Sequence, residues 1–182
     1  MIAIVDYKAG NLTSVKLAFD ALGIETVKTC DPEVVRNATH VVFPGVGAAK
    51  SAMENLEKLK LVDAIKEAAL TKPFLGICLG MQILFEESEE DGGVKTLGIL
   101  PGKVKRFPNI KGVKVPHIGW NEDYYFVHSY FAPIIPETTI KCCYAEKEFT
   151  AALKRGTLTA AQFHPEKSGR LGLEFLKEWA TC

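Results

Sequence analysis

The sequence predicts an α/β fold: a mixed central sheet flanked by helices, with an additional antiparallel strand segment. Three observations predict it. Short apolar runs alternate with helical periodicity as far as residue 87, the pattern of parallel strands joined by covering helices. From Gly92 onward the texture changes to short alternating segments, as exposed antiparallel strands require. Between them, Phe74-Leu75-Gly76-Ile77-Cys78-Leu79-Gly80-Met81-Gln82 runs from a buried strand into helical spacing across a cysteine set between two glycines.

The elements follow in order. Residues 2–5 are a short buried strand. Gly10-Asn11 opens a helix over 12–22, apolar at Val15, Leu17, Ala18, Ala21 and Leu22, with Gly23 as its stop. Residues 24–29 are a second strand. Asp31 caps a short helix with Pro32 at its first position. Residues 41–43 are a third strand, followed by a helical stretch over 49–70 that breaks near Leu59. Residues 74–77 are the fourth strand, and helical spacing resumes over 81–87. In the second half, strands are expected at 103–106, 111–115, 124–127, 140–144, 150–153 and 158–163. Ser168 caps a last helix over 171–179, apolar at Leu171, Leu173, Phe175, Leu176 and Trp179. With no repeat, linker or low-complexity tract, residues 1–182 read as one domain.

Composition narrows the function. Lys plus Arg number 22 and Asp plus Glu 22, so there is no basic excess to bind nucleic acid. No apolar run approaches the roughly 20 residues of a membrane span. The start lacks the basic region of a signal peptide. The five cysteines, Cys30, Cys78, Cys142, Cys143 and Cys182, have no C-x-x-C spacing and suit free thiols in a reducing, cytoplasmic compartment. His40, His117, His128 and His164 show no metal-ligand spacing, so neither metal nor cofactor is expected.

Strand, sharp turn with a nucleophile at its apex, then helix is a nucleophile-elbow arrangement with Cys in place of Ser. Gly76 and Gly80 stand where strand and helix backbones approach closely. The helix N-terminus at the turn favours thiolate. The bland alternative is a buried thiol acting as a small hydrophobe, and the elbow alone does not separate the two. His164-Pro165-Glu166 does more. On extended chain His164 and Glu166 share a face, which suits an imidazole oriented by a carboxylate; the alternative is a surface loop with a solvated glutamate. Together with the elbow, Cys-His-Glu is the favoured reading. Gly45-Val46-Gly47 invites a dinucleotide site, but Lys50 replaces the third glycine and the loop follows the third strand. Such a loop can instead offer a backbone N–H to a developing negative charge.

Gly-Ile-Cys-Leu-Gly-Met-Gln at 76–82 and Gln162-Phe163-His164-Pro165-Glu166-Lys167-Ser168 resemble the class I (triad) glutamine amidotransferases. Pro44-Gly45-Val46-Gly47, Pro116-His117-Ile118-Gly119-Trp120-Asn121 and Tyr125-Phe126-Val127-His128-Ser129-Tyr130 narrow the resemblance to the glutaminase subunits of imidazole glycerol phosphate synthases, over nearly the whole chain. The resemblance implies a flavodoxin-like class I amidotransferase fold. It implies Cys78 as nucleophile, His164 as general base and acid, and Glu166 as orienting carboxylate. The Leu79 N–H would be one arm of an oxyanion hole and Gly45, Val46 and Gly47 the other. Gln82, Glu90, His128, Ser129 and Tyr130 would hold the amino-acid end of glutamine.

A partner is implied too: a separate (β/α)8-barrel cyclase, joined as a heterodimer. It would use the ammonia to make imidazole glycerol phosphate and an aminoimidazole carboxamide ribonucleotide in histidine biosynthesis. His117, Gly119, Trp120, Asn121 and Tyr125 are candidates for the docking face, with core packing as the alternative for Trp120 and Tyr125. Lys167 is a candidate salt bridge across it. Two departures stand out. Ala48 and Ser51 occupy positions where the family carries Phe and Asp. Asn121 is followed almost at once by Tyr124, where the family has a longer connection, which reads as a trimmed loop or an interrupted chain. The rivals are a glutaminase serving anthranilate, guanylate or pyridoxal phosphate synthesis, and a cysteine hydrolase that works without a partner.

Overall fold

The computed structural model describes residues 1–8 and 12–182. Alternation along β1 (Ile2–Val5) sets the layers. Ile2 and Ile4 pack on one side of the sheet and Ala3 and Val5 on the other, all buried, so helices cover both faces. The chain continues as α1 (Leu12–Ala21), β2 (Thr26–Thr29), α2 (Pro32–Asn37), β3 (His40–Gly45), α3 (Ala49–Lys58), α4 (Val62–Thr71) and β4 (Phe74–Cys78). A single helical turn, α5 (Leu79–Gln82), follows the elbow. Then come β5 (Glu87–Ser88), β6 (Val94–Lys95), β7 (Lys103–Arg106), β8 (His117–Asn121), β9 (Tyr124–His128), β10 (Tyr130–Phe131), β11 (Thr138–Tyr144), β12 (Lys147–Arg155), β13 (Leu158–Ala161) and α6 (Gly169–Ala180).

The main sheet has seven strands in the order β11-β12-β13-β4-β3-β1-β2. Its core from β13 to β2 is parallel, and β12 and β11 add an antiparallel edge. β10, β7, β5 and β6 form a small second sheet, and β8 and β9 a separate hairpin. Among the described residues, no helix is long and apolar enough to cross a membrane.

Several elements differ from the sequence reading. The Gly10-Asn11 helix opening lies outside the described residues. Ile24 and Glu25 precede the second strand, which starts at Thr26. The helical spacing over 81–87 yields one turn only. Ile83, Leu84 and Phe85 are buried on every side, and their carbonyls receive Leu97, Ile99 and Gly98 N–H from the 97–99 loop rather than continuing a helix. Residues 111–115 are a turn and irregular chain, closed by a Val113 N–H bond to the Ile110 carbonyl, and pair with no strand. Asp31 does cap α2, accepting from Glu33 N–H at 2.8 Å.

Between β8 and β9, Glu122 and Asp123 make a two-residue turn with Asn121 opposite Tyr124 and φ of 53° at Glu122. The hairpin has two faces. His117 opposes His128 and Gly119 opposes Phe126 on its inner side, against an aromatic cluster around Phe149 and Phe163. Ile118 opposes Val127 and Trp120 opposes Tyr125 on its outer side.

Candidate active site

Adjacent parallel strands β13, β4 and β3 end along one edge of the sheet, where ligand sites of such sheets form. β4 delivers Cys78 there with φ 55° and ψ −111°, a backbone conformation rare for a side-chain-bearing residue and therefore one the surroundings must impose. Close approach imposes it. A Cβ on Gly80 would lie 1.9 Å from the Phe43 carbonyl oxygen, and one on Gly45 2.5 Å from Gly80 N. The elbow is thus pressed against β3, and a Cβ on Gly76 would lie 3.0 Å from the Gly80 carbonyl oxygen. With only four residues, α5 contributes less dipole than the sequence reading assigned to it.

The third strand of this set, β13, ends at Ala161, earlier than expected. His164 remains extended, but Glu166 sits in a 3-10 turn, Pro165–Lys167, so the two do not share a strand face. They meet nonetheless: His164 Nδ1–H donates to Glu166 Oε1 at 2.8 Å, with both side chains about 5% exposed or less. Burial alone would lower the His164 pKa. Hydrogen bonds and charge attraction to Cys78 and Glu166 outweigh it and raise the pKa to about 10. Nδ1 is committed to Glu166, which leaves Nε2 for Cys78. Ser168 stands at the head of α6 without capping it. Its Oγ–H donates to the His164 carbonyl at 2.7 Å and its Oγ accepts from Tyr125 N–H at 3.0 Å. The hydroxyl therefore anchors the His164–Glu166 segment to β9.

Cys78 and His164 open into a cavity of about 260 Å³. Leu79, Val46 and Gly47 line this cavity; Gly45 does not, since it ends β3 and borders a small crevice with Glu166 instead. Gln82, Glu90 and the His128-Ser129-Tyr130 segment line the cavity too. Glu90 Oε2 accepts the Ala49 N–H at 2.6 Å. It supplies the helix cap that Ala48, lacking a polar side chain, cannot give α3. Burial raises the Glu90 pKa. Gln82 is buried, its Nε2 donating to the Tyr130 carbonyl and to Gln162 Oε1, each at 2.8 Å. Gln162 was not singled out beforehand: fully buried, it joins Gln82 to Cys78. Its sequence signal is its place at the head of the 162–168 motif, which assigns it no role of its own.

The expected docking residues separate. His117 is 4% exposed and stacks on Tyr144 with ring centroids 3.8 Å apart, so it offers nothing to a partner. Trp120 is 60% exposed, as is Ile118 beside it, which the sequence reading did not name. Tyr125 is half-buried with Lys167 Nζ 5.9 Å over its ring, and Lys167 also borders the cavity. Asn121 Nδ2 donates to the Cys143 carbonyl at 3.1 Å, and Gly119 adopts φ of 130°.

A family model for glutamine amidotransferase class-I matches residues 3–180. The chain is 46% identical over 190 residues to the imidazole glycerol phosphate synthase subunit HisH of Exiguobacterium sibiricum, covering all of this chain and 96% of that protein. It is 47% identical over 197 residues to the subunit HisH of Moorella thermoacetica, covering 98% and 93%. Among solved structures, it resembles one described as a glutamine amidotransferase with TM-score 0.77 at 18% identity, over 100% of this chain and 99% of the other. A glutamine amidotransferase from Thermotoga maritima matches with TM-score 0.57, also at 18% identity, over 99% and 82%. At that identity the structural likeness speaks for the fold alone.

Proposed function

The chain belongs to the class-I glutamine amidotransferase family, and we propose on that premise that it is the glutaminase subunit of an imidazole glycerol phosphate synthase in histidine biosynthesis. Relatives alike over the full length, each named as that subunit, support the reading. One observation carries the chemistry: the buried 2.8 Å His164–Glu166 pair beside a cysteine held at φ 55° at the edge of a cavity. The Cys78 thiolate attacks the side-chain amide carbon of glutamine. Leu79 N–H and the Val46-Gly47 backbone, which line the cavity, receive the oxyanion, where one donor is typically worth about 10²–10³ in rate. His164 protonates the departing ammonia, then takes a proton from the water that hydrolyses the glutamyl thioester. Glutamine and water become glutamate and ammonia.

Gln82, Glu90 and residues 128–130, which line the cavity, hold the amino-acid end of the substrate. No cofactor enters these steps. Ammonia released into neutral water is protonated and lost as a nucleophile, so a partner must receive it. That partner is a separate (β/α)8-barrel cyclase, docked on the outer face of the β8–β9 hairpin through Trp120 and its neighbours. We place it in the cytoplasm, a reducing compartment suited to five cysteines without C-x-x-C spacing.

Glutamate release measured with and without the cyclase and its nucleotide ligand tests this. Turnover is expected to be low for the chain alone and to rise steeply in the complex. Cys78→Ala abolishes glutamine-dependent synthesis and leaves ammonia-dependent synthesis intact. Full turnover by the isolated chain, with no preference for glutamine, would point instead to a cysteine hydrolase working alone.

A further inference from the structure

The Tyr130 carbonyl can only accept hydrogen bonds, and it lies at the centre of the polar cluster behind the cavity. Gln82 Nε2 and His128 Nδ1 each face it at 2.8 Å, so each must present an N–H. The first assignment orients the Gln82 amide. Because Gln82 Nε2 is also 2.8 Å from one end of Gln162, that end must be the acceptor, Oε1. The other end of Gln162, Nε2, is then turned to Cys78 Sγ at 3.7 Å. The second assignment fixes the His128 tautomer, leaving its Nε2 to accept from His117 Nδ1–H at 3.1 Å. A single backbone carbonyl sets the direction of every hydrogen bond from His117 to the sulfur.

Sγ has another contact at the same distance, the Val127 carbonyl at 3.7 Å. The two neighbours want opposite things. A carbonyl accepts from the thiol and repels a thiolate. An amide N–H that cannot turn favours the anion, and hydrogen bonds to ionised acceptors are about twice as strong as neutral ones. Gln162 is completely buried, so water does not compete for that donor.

We propose that Gln162 is a positioning residue for the nucleophile: its Nε2–H holds the Cys78 thiolate, and its own orientation is imposed by Gln82 and the Tyr130 carbonyl. This rests on Cys78 being the nucleophile, so the test reads thiol reactivity and not glutamine turnover. Alkylation of the full chain by iodoacetamide is followed site by site with mass spectrometry across pH, which separates Cys78 from the other four cysteines. Gln162→Leu should slow Cys78 alkylation at neutral pH by roughly tenfold, with recovery at alkaline pH where the thiol ionises regardless. Gln162→Glu keeps an acceptor for Gln82 but turns an oxygen to the sulfur, and should slow it further. An unchanged pH profile in both variants overturns the proposal, as does a uniform loss at all pH values, which would mean altered access. In the unaltered chain, the Gln162 side-chain amide proton resonances should move with the midpoint of the alkylation profile; resonances that stay put overturn it even if neither variant folds. If Cys78 reacts no faster than exposed Cys143, the nucleophile reading itself falls and takes this inference with it.

Discussion

The two inner histidines of the hairpin decide how the protein responds to acid. His128 must be neutral, since its Nε2 accepts from His117 while its Nδ1 donates to Tyr130. Burial lowers His117 to about 4, and burial with the nearby His117 and His164 lowers His128 to about 3. With folded pKa values below the unfolded value near 6.5, the unfolded chain takes up protons first. The stabilisation is therefore complete above pH 6.5 and is lost as pH falls toward 4 and then 3. His128 alone should cost on the order of 1 kcal/mol for each pH unit in that window. His164, raised to about 10, behaves in the opposite sense: its contribution is whole below pH 6.5 and fades as pH climbs through 10, so it does not blur the acid limb. Urea unfolding at pH 7 and pH 5 checks this, and a level stability between the two would sink it. The sequence reading makes His117 a docking candidate and His128 a substrate-binding one, and does not pair them. Their pairing depends on the β8–β9 register, a contact between strands that neither residue's neighbours announce.

Elements show the same division at larger scale. The elbow could be read because its requirements are local: a strand, a turn and two glycines within five residues. Gly172 could not. Inside α6 it looks like a mere weakness, yet a Cβ there would lie 2.0 Å from the Pro165 carbonyl oxygen. The reason is that α6 packs its first turns onto the 3-10 turn carrying Glu166. The misread stretches at 81–87 and 111–115 failed likewise, since their apolar residues serve core packing and a turn rather than a repeating face. Gly172→Ala therefore has a specific expected outcome. Backbone oxygen cannot step aside cheaply, so the turn must shift, at about 1–3 kcal/mol of overpacking. Glu166 shifts with it, lowering kcat more than KM in cyclase-coupled turnover. Parent-like melting and parent-like kcat in this variant would show that the turn is free to move without consequence. Gly80→Ala, pressed against Phe43, should lose stability by a similar mechanism.

Across the whole molecule, the hairpin joins the outer surface to the chemistry. Its inner face packs on the aromatic cluster, while its outer face leaves Ile118 and Trp120 each 60% exposed. β9 is tied to the 164–168 segment twice, by His164 N–H to the Tyr125 carbonyl at 2.9 Å and by Tyr125 N–H to Ser168 Oγ at 3.0 Å. Val127, between them and His128, borders the cavity and reaches Cys78 through its carbonyl. A protein seated on this face touches the strand that holds His164 in place, which gives partner binding a short physical route to Cys78. Large exposed aromatics at the centre of such patches carry much of the binding energy, commonly about 2 kcal/mol or more on truncation. Trp120→Ala should then weaken cyclase binding by at least about tenfold, measured by titration calorimetry. Its unfolding free energy should stay within about 0.5 kcal/mol of the parent, because the ring is mostly in solvent. Saturating cyclase should restore turnover, since the ring touches neither the triad nor the cavity. Unchanged affinity in Trp120→Ala would move the docking surface elsewhere on the molecule and remove the hairpin as the link between partner and site.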